Sequence, residues 1–152
     1  MEDSLPTRLQ LEIVTPNRQV VRDSVLAVSV PGKDGYLGIL PGHAPLLSLL
    51  QPGEVSYTRN AVSHYLAVSW GFVEVLPDRV IVLAETGERA EEIDVSRAER
   101  ARQKAEERLG KLNDPTIDRE RAQRALERAM ARLSAAAKLK LEIRNPLAAD
   151  PG

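Results

Sequence analysis

The sequence predicts an all-β sandwich followed by an antiparallel two-helix hairpin. Three observations carry that expectation. Composition changes abruptly near residue 86: residues 1–86 hold all five aromatics, thirteen of the fourteen valines and seven of the ten prolines, while the remainder holds thirteen of the eighteen alanines. β-branched and aromatic residues punctuated by Gly and Pro describe strands, whereas Ala, Glu, Arg and Leu describe helices. Turn residues recur at short intervals through the first part and leave no room for crossover helices, which favours a sandwich or flattened barrel over a βαβ fold. In the second part apolar residues recur every three or four positions. The expected organisation is a β domain over residues 1–86, a hairpin over 87–143 and a flexible tail with Pro146 and Pro151 over 144–152.

The strands follow from alternation and punctuation. Leu9, Leu11 and Ile13 alternate with polar partners until Thr15-Pro16-Asn17 ends the run. Val25–Val30 forms the next candidate and stops at Pro31-Gly32. Residues 35–53 carry no charge over a length that could cross hydrocarbon. Pro41, Pro45, Pro52 and four glycines break that run, so a folded loop region is expected and a membrane span is not. Further strands are expected at Glu54–Thr58, Val62–Val68, Phe72–Leu76 and Arg79–Ala84, with a tight turn at Pro77-Asp78.

In the helical part, Asp94 suits an N-cap, and Val95, Ala98, Ala101, Ala105, Leu109 and Leu112 share one face. Gly110 and Asn113-Asp114-Pro115 end that helix, and Asp118 or Thr116 caps a second one with Ala122, Ala125, Leu126, Ala129, Leu133 and Ala136 inward. So short a connection makes the helices antiparallel neighbours. The inward face of the first helix is the surface expected to meet the sandwich. With alanines as half of that face, its burial does not exceed the entropy lost in ordering the hairpin, so conditional docking is expected.

Several function classes are excluded by composition. The 21 basic and 22 acidic residues leave a net charge of −1, unlike a dedicated nucleic-acid binder. The absence of cysteine removes disulfides, thiolate catalysis and cysteine-based zinc sites. The acidic start at Met1 shows no secretory signal. His43 and His64 lack triad-like or ligand-like company and are expected to be structural. The glycines of 35–42 are followed by no Gly-Lys-Ser/Thr, so they form no Walker loop. Neither catalytic nor metal-binding residues are assigned.

One pattern rises above this background. Arg97, Arg100, Lys104 and Arg108 repeat at spacings of three, four and four, and Arg121, Arg124, Arg128 and Arg132 repeat the same spacing. At 100° per residue each set is a stripe flanking its apolar face. The approximate twofold axis relating the two helices places both stripes on one side, a cationic groove suited to phosphates or an acidic segment. The competing expectation is that Glu99, Glu106, Glu107, Glu120 and Glu127 neutralise these arginines.

The run GYLGILPGHAPL from Gly35 to Leu46, with GFVEV from Gly71 to Val75 and IDVSRA from Ile93 to Ala98, closely resembles the epsilon subunit family of bacterial F-type ATP synthases. The resemblance spans about Leu9 to Leu133 and implies a sandwich of about ten strands carrying a two-helix hairpin. It further implies a non-catalytic rotor subunit of the central stalk that couples proton-driven rotation to ATP synthesis from ADP and phosphate. The implied partners are the gamma subunit, the rotor ring of c subunits, and the alpha/beta head through an acidic segment of beta. No nucleic acid is implied, and membrane association is peripheral, through the complex, at the cytoplasmic face of the bacterial inner membrane. The hairpin of such proteins can extend into the head and restrain ATP hydrolysis.

No cofactor is required by the resemblance, but a regulatory ATP is implied on the compact hairpin. The matching residues are Glu88, Ile93, Asp94, Arg97, Ala98, Arg128 and Arg132, with Lys104 where ATP-binding relatives carry Arg. Asp34, Gly35, Tyr36, His43, Ser69 and Trp70 match positions facing the rotor ring or gamma. Tyr36 stands where relatives often have Glu, and Trp70 replaces a Gly and is expected to be an interface anchor. A purely structural connector and a free ATP-sensing module remain as alternatives.

Overall fold

The structure, a computed structural model, describes residues 4–144. Eight strands come first: β1 (Leu9–Val14), β2 (Gln19–Val25), β3 (Ala27–Gly32), β4 (Gly35–Ile39), β5 (Leu46–Leu50), β6 (Gly53–Arg59), β7 (Val62–Leu76) and β8 (Arg79–Arg89). A single 3-10 turn (Ala90–Glu92) then leads into α1 (Val95–Gly110) and α2 (Arg119–Arg144). The strands are ordered β2-β1-β8-β7-β5-β3-β4, with β6 joining β3 to β7. They enclose a core in which Leu9, Leu11, Ile13, Val25, Val30 and Leu66 are fully or almost fully buried. Such burial of branched side chains on alternate strand positions is the main stabilising contribution in a sandwich.

One long strand changes partner midway. The first half of β7 pairs with β6, from Arg59↔Val62 to Gly53↔Val68, and its second half pairs with β5, from Leu50↔Gly71 to Leu46↔Val75. The change of partner falls at Trp70 and Gly71, whose φ angles are +43° and +138°. A Cβ on Gly71 would lie 1.8 Å from the carbonyl oxygen of Leu83, so only glycine fits. At this bend β7 does the work of two strands, and the sandwich has eight strands where the resemblance implies about ten.

Five strands differ from the sequence expectation. Residues 35–53 are not simply a loop, because they contain β4 and β5. Glycines in β4 and the unbroken apolar run Leu46-Leu-Ser-Leu-Leu50 conceal the period of two on which a strand is recognised. The expected strand over Val25–Val30 is instead the end of β2 and most of β3, broken at Leu26. β8 runs on to Arg89, so the boundary expected after residue 86 falls inside a strand. At the other end α2 reaches Arg144, the first residue of the expected tail, and residues 145–152 lie outside the described residues.

The hairpin forms at its expected caps. The Asp94 carboxylate accepts from the Arg97 amide at 3.1 Å, and the Asp118 carboxylate accepts from the Arg121 amide at 3.0 Å. Thr116 donates to Asp114 in the connecting turn and so is not the second cap. Ala98 and Ala105 of α1 are buried, as are Ala122 and Ala129 of α2, a seam of small side chains through which the helices approach. The helix that docks on the sandwich is α2, not α1. It lies across β6 and β7 and presses Ala131 and Ala135, with Leu139, against Ala67, Ala90, Tyr65 and Ile93. Ala131 lies about 200° around the helix from Ala129, so α2 carries two alanine faces, one for α1 and one for the sheet. Val95 and Leu112, expected to face inward, are 49% and 77% exposed because no strand covers α1 there.

Candidate functional site

The candidate site is the seam between α2 and the sandwich, where charge replaces bulk. The Glu85 carboxylate on β8 accepts from Arg124 at 2.8 Å, and the same guanidinium lies 3.9 Å from the centroid of the Trp70 ring. One turn later Arg128 stands 5.7 Å from that ring. A further turn along, Arg132 pairs with Glu88 at 3.0 Å. Three members of the second basic stripe therefore turn towards β7 and β8. A recess of about 250 Å³ opens here, lined by Arg18, Ser69, Thr86, Glu88, Arg128 and Arg132. The Ser69 and Thr86 hydroxyls, one on each strand, hydrogen-bond to each other at its floor.

A second polar cluster lies further along α2. Glu54, on β6, is 8% exposed, yet its carboxylate accepts from the Tyr36 hydroxyl at 2.8 Å and the Ser134 hydroxyl at 2.9 Å. Lys138 completes it at 2.5 Å. Burial pushes the Glu54 carboxyl up, but Lys138, Tyr36 and Ser134 outweigh it, so the group titrates below the ordinary glutamate value. Burial, and then the Glu54 acceptor, push the Tyr36 hydroxyl up to about 12. Near the end of the helix Tyr65 donates to Glu142 at 2.5 Å. Sequence reasoning missed this cluster. Its one signal was a carboxylate at Glu54 near the start of a strand whose next alternate positions are Val55 and Tyr57.

Of the seven residues matched to nucleotide binding, Glu88, Arg128 and Arg132 line the recess together. Three others have work in the fold: Ile93 packs on the Ala131–Ala135 cluster, Asp94 caps α1, and Ala98 is buried in the helix seam. Arg97 is exposed and makes no ion pair among the described residues. The rest of the first stripe, Arg100, Lys104 and Arg108, is likewise exposed. Glu99 and Glu106 pair with Arg102, which is outside both stripes, so they do not neutralise them. The two stripes meet at the hairpin tip, where Arg108 and Arg121 border one recess; further along, the α2 stripe faces the sandwich instead of sharing a groove with α1.

The six positions matched to the rotor ring and gamma come from three parts of the chain. Asp34 and Gly35 are exposed at the β3–β4 turn, while the Tyr36 hydroxyl is turned to Glu54. His43 contacts the carbonyl of Ala44 at 2.7 Å in the loop between β4 and β5. Ser69 is buried, and Trp70 is covered by Arg124 of the same chain, so the expected anchor is engaged internally in this arrangement. His64 stacks on Tyr57 with ring centroids 4.8 Å apart. A different face of the sandwich is bare: Leu49 pairs with Phe72 and Phe72 with Leu83 across three strands, and all three side chains are exposed together with Leu47. Among the described residues no helix is long and apolar enough to cross a membrane.

With sandwich, hairpin and seam in place, the chain can be set beside known proteins. The family described as ATP synthase, Delta/Epsilon chain, beta-sandwich domain matches residues 8–90, and its long alpha-helix domain matches residues 91–137. The chain belongs to the ATP synthase delta/epsilon family. It is 58% identical over 100 residues to the ATP synthase epsilon chain of Koribacter versatilis, covering 66% of this chain and 70% of that one. It is 52% identical over 128 residues to that of Herpetosiphon aurantiacus, covering 84% and 93%. Its fold matches a chain of the Euglena gracilis mitochondrial ATP synthase, solved by cryo-EM as OSCP/F1/c-ring, with a TM-score of 0.75 at 20% identity, covering 93% and 86%. As a member of the epsilon type, it is a non-catalytic subunit of an F-type ATP synthase.

Proposed function

We propose that this chain is a rotor subunit of the central stalk, coupling proton-driven rotation to ATP synthesis, whose hairpin leaves the sandwich to restrain ATP hydrolysis. The observation that carries this reading is the seam itself. α2 meets the sheet through alanines and through Arg124, Arg132 and Lys138, each paired to a carboxylate. Ion pairs at a partly solvated surface stabilise weakly and exchange partners readily, which is what a detachable element requires. On release, the α2 stripe joins the exposed Arg97, Arg100, Lys104 and Arg108, and the acidic segment of a beta subunit is the partner that complements them.

The bare face of Leu47, Leu49, Phe72 and Leu83 is the surface on which gamma would sit, since a patch of this kind on a small domain marks an interface. The turn at Asp34 and Gly35 is left to the rotor ring. The complex then holds the chain peripherally at the cytoplasmic face of the bacterial inner membrane. The recess of Glu88, Arg128 and Arg132 is assigned to a regulatory ATP that favours the docked hairpin.

The test is reconstitution with alpha, beta and gamma subunits. The full chain is expected to copurify with gamma, and deletion of everything after Ala90 is expected to raise ATP hydrolysis by the assembled head. An unchanged rate would remove the inhibitory role and leave a structural connector.

A further inference from the structure

We propose that Arg18, on the turn between β1 and β2, is a third phosphate-binding residue of the recess, so that a phosphate chain bound there bridges the sandwich to the hairpin. This rests on the assignment of that recess to a nucleotide, and it adds a residue and a physical role that the matched motif does not contain.

Two modules converge on the recess. Arg128 and Arg132 reach it from α2, and Arg18 reaches it from the sandwich, 110 or more positions earlier in the chain. The turn that carries Arg18 is fixed in place. The Thr15 amide donates to the Arg18 carbonyl at 2.9 Å, and the Arg18 amide donates to the Thr15 hydroxyl at 3.3 Å. β8 comes close beneath it, since a Cβ on Gly87 would stand 3.1 Å from a Thr15 methyl. That approach places the backbone of Arg18 beside the recess.

The charges there are arranged for exchange. Arg18 donates to Glu92 at 2.9 Å, and Arg132 is ion-paired with Glu88 at 3.0 Å. Arg128 is half-buried and has no ion pair among the described residues. Its guanidinium, 5.7 Å from the centroid of the Trp70 ring, has no carboxylate to give up before it meets an anion. A triphosphate offers more charge and more paired oxygen acceptors than a single carboxylate, and it matches the fork of each guanidinium. It would take Arg18 and Arg132 from their carboxylates and satisfy Arg128 as well. The recess, at about 250 Å³, is below the usual range of roughly 300–1,000 Å³ for a whole small-molecule ligand. The phosphate chain is therefore the part enclosed, and the base and sugar lie outside.

The experiment is calorimetric titration of the full chain with ATP and, separately, with inorganic triphosphate. The wild-type protein is compared with Arg18→Ala, Arg18→Lys, Arg128→Ala and the distant control Arg22→Ala. Expected is binding of both ligands by wild type and by Arg22→Ala, at least tenfold weakening by Arg18→Ala and by Arg128→Ala, and partial recovery in Arg18→Lys. Trp70, the single tryptophan, reports docking through its contact with Arg124. Ligand should hold its emission in the docked state in wild type and lose that effect in Arg18→Ala. Failure of wild type to bind either ligand would overturn the nucleotide assignment and this proposal together. Binding of ATP that Arg128→Ala weakens and Arg18→Ala leaves unchanged would overturn this proposal alone. So would binding of ATP with none of inorganic triphosphate.

Discussion

The sandwich core and the α2 seam are built from different physics. In the core, Leu, Ile and Val side chains with almost no exposed area fill the space between sheets, a non-directional stabilisation that changes little with charge state. At the seam the buried apolar residues are Ala67, Ala90, Ala131 and Ala135, and Glu54, Glu85 and Glu88 with their cationic partners make up much of the rest of the contact. Alanine buries little area per residue, so such a contact holds only while its charges are matched. Conditions that act on charge should therefore move the hairpin and leave the platform unchanged.

The largest expected effect breaks the platform and not the seam. Gly71→Ala sets a methyl against the Leu83 carbonyl at a φ of +138°, and should lower the stability of the sandwich by about 3 kcal/mol or more. Thermal melting checks this, and an unchanged midpoint would show that the bend tolerates a side chain.

Next comes the buried carboxylate. Glu54→Ala leaves Lys138, Ser134 and the Tyr36 hydroxyl without their acceptor, and should weaken hairpin docking by about 2–3 kcal/mol while the melting of the sandwich stays close to wild type. Amide exchange along α2 should accelerate well before exchange in β1, β7 or β8. The same group sets a pH window. Its docked pKa lies below the ordinary 4.5, so its contribution is complete above that value and disappears as pH falls through the docked one. Tyr36, hydrogen-bonded to Glu54 within the sandwich, bears on folding instead: with its pKa raised from 10.0 to about 12, it contributes fully below pH 10 and ceases to do so as pH rises towards 12. Protection of α2 that did not decline in acid would show that alanine packing alone holds the helix.

The smallest effect sharpens the comparison at Trp70. Arg124→Ala removes both the stacked cation and the Glu85 pair at a partly solvated site, worth about 1 kcal/mol. Trp70 emission should shift towards the solvent-exposed value, and added salt should shift the wild type the same way. Salt that left the emission unmoved would mean that these pairs contribute nothing to docking.

Much of the architecture was legible in the sequence. Alternation at Leu9, Leu11 and Ile13 and punctuation at Pro77-Asp78 marked β1 and the β7–β8 turn, and Asp94 and Asp118 marked the helix starts, because caps and turns are local. β4 and β5 were illegible because their glycines and consecutive leucines suppress the period on which a strand is recognised. Within the site, Glu88, Arg128 and Arg132 could be named in advance. Arg18, Glu54 and Lys138 could not, since each acquires its meaning from a partner 70 or more positions away.

By itself the sequence determined that a valine-rich sheet would precede an alanine-rich hairpin, and where the helices would begin, because propensity and capping act over a few residues. It also held the long motifs that mark membership of the family. Only the tertiary structure decided that α2 and not α1 lies on the sandwich, that Trp70 is covered by the chain's own arginines, and that Glu54 is buried among donors. A helix with alanines on several faces is compatible with several dockings. The choice among them falls to a few long-range charge pairs, and the spacing of residues along the chain says nothing about which carboxylate each cation will meet.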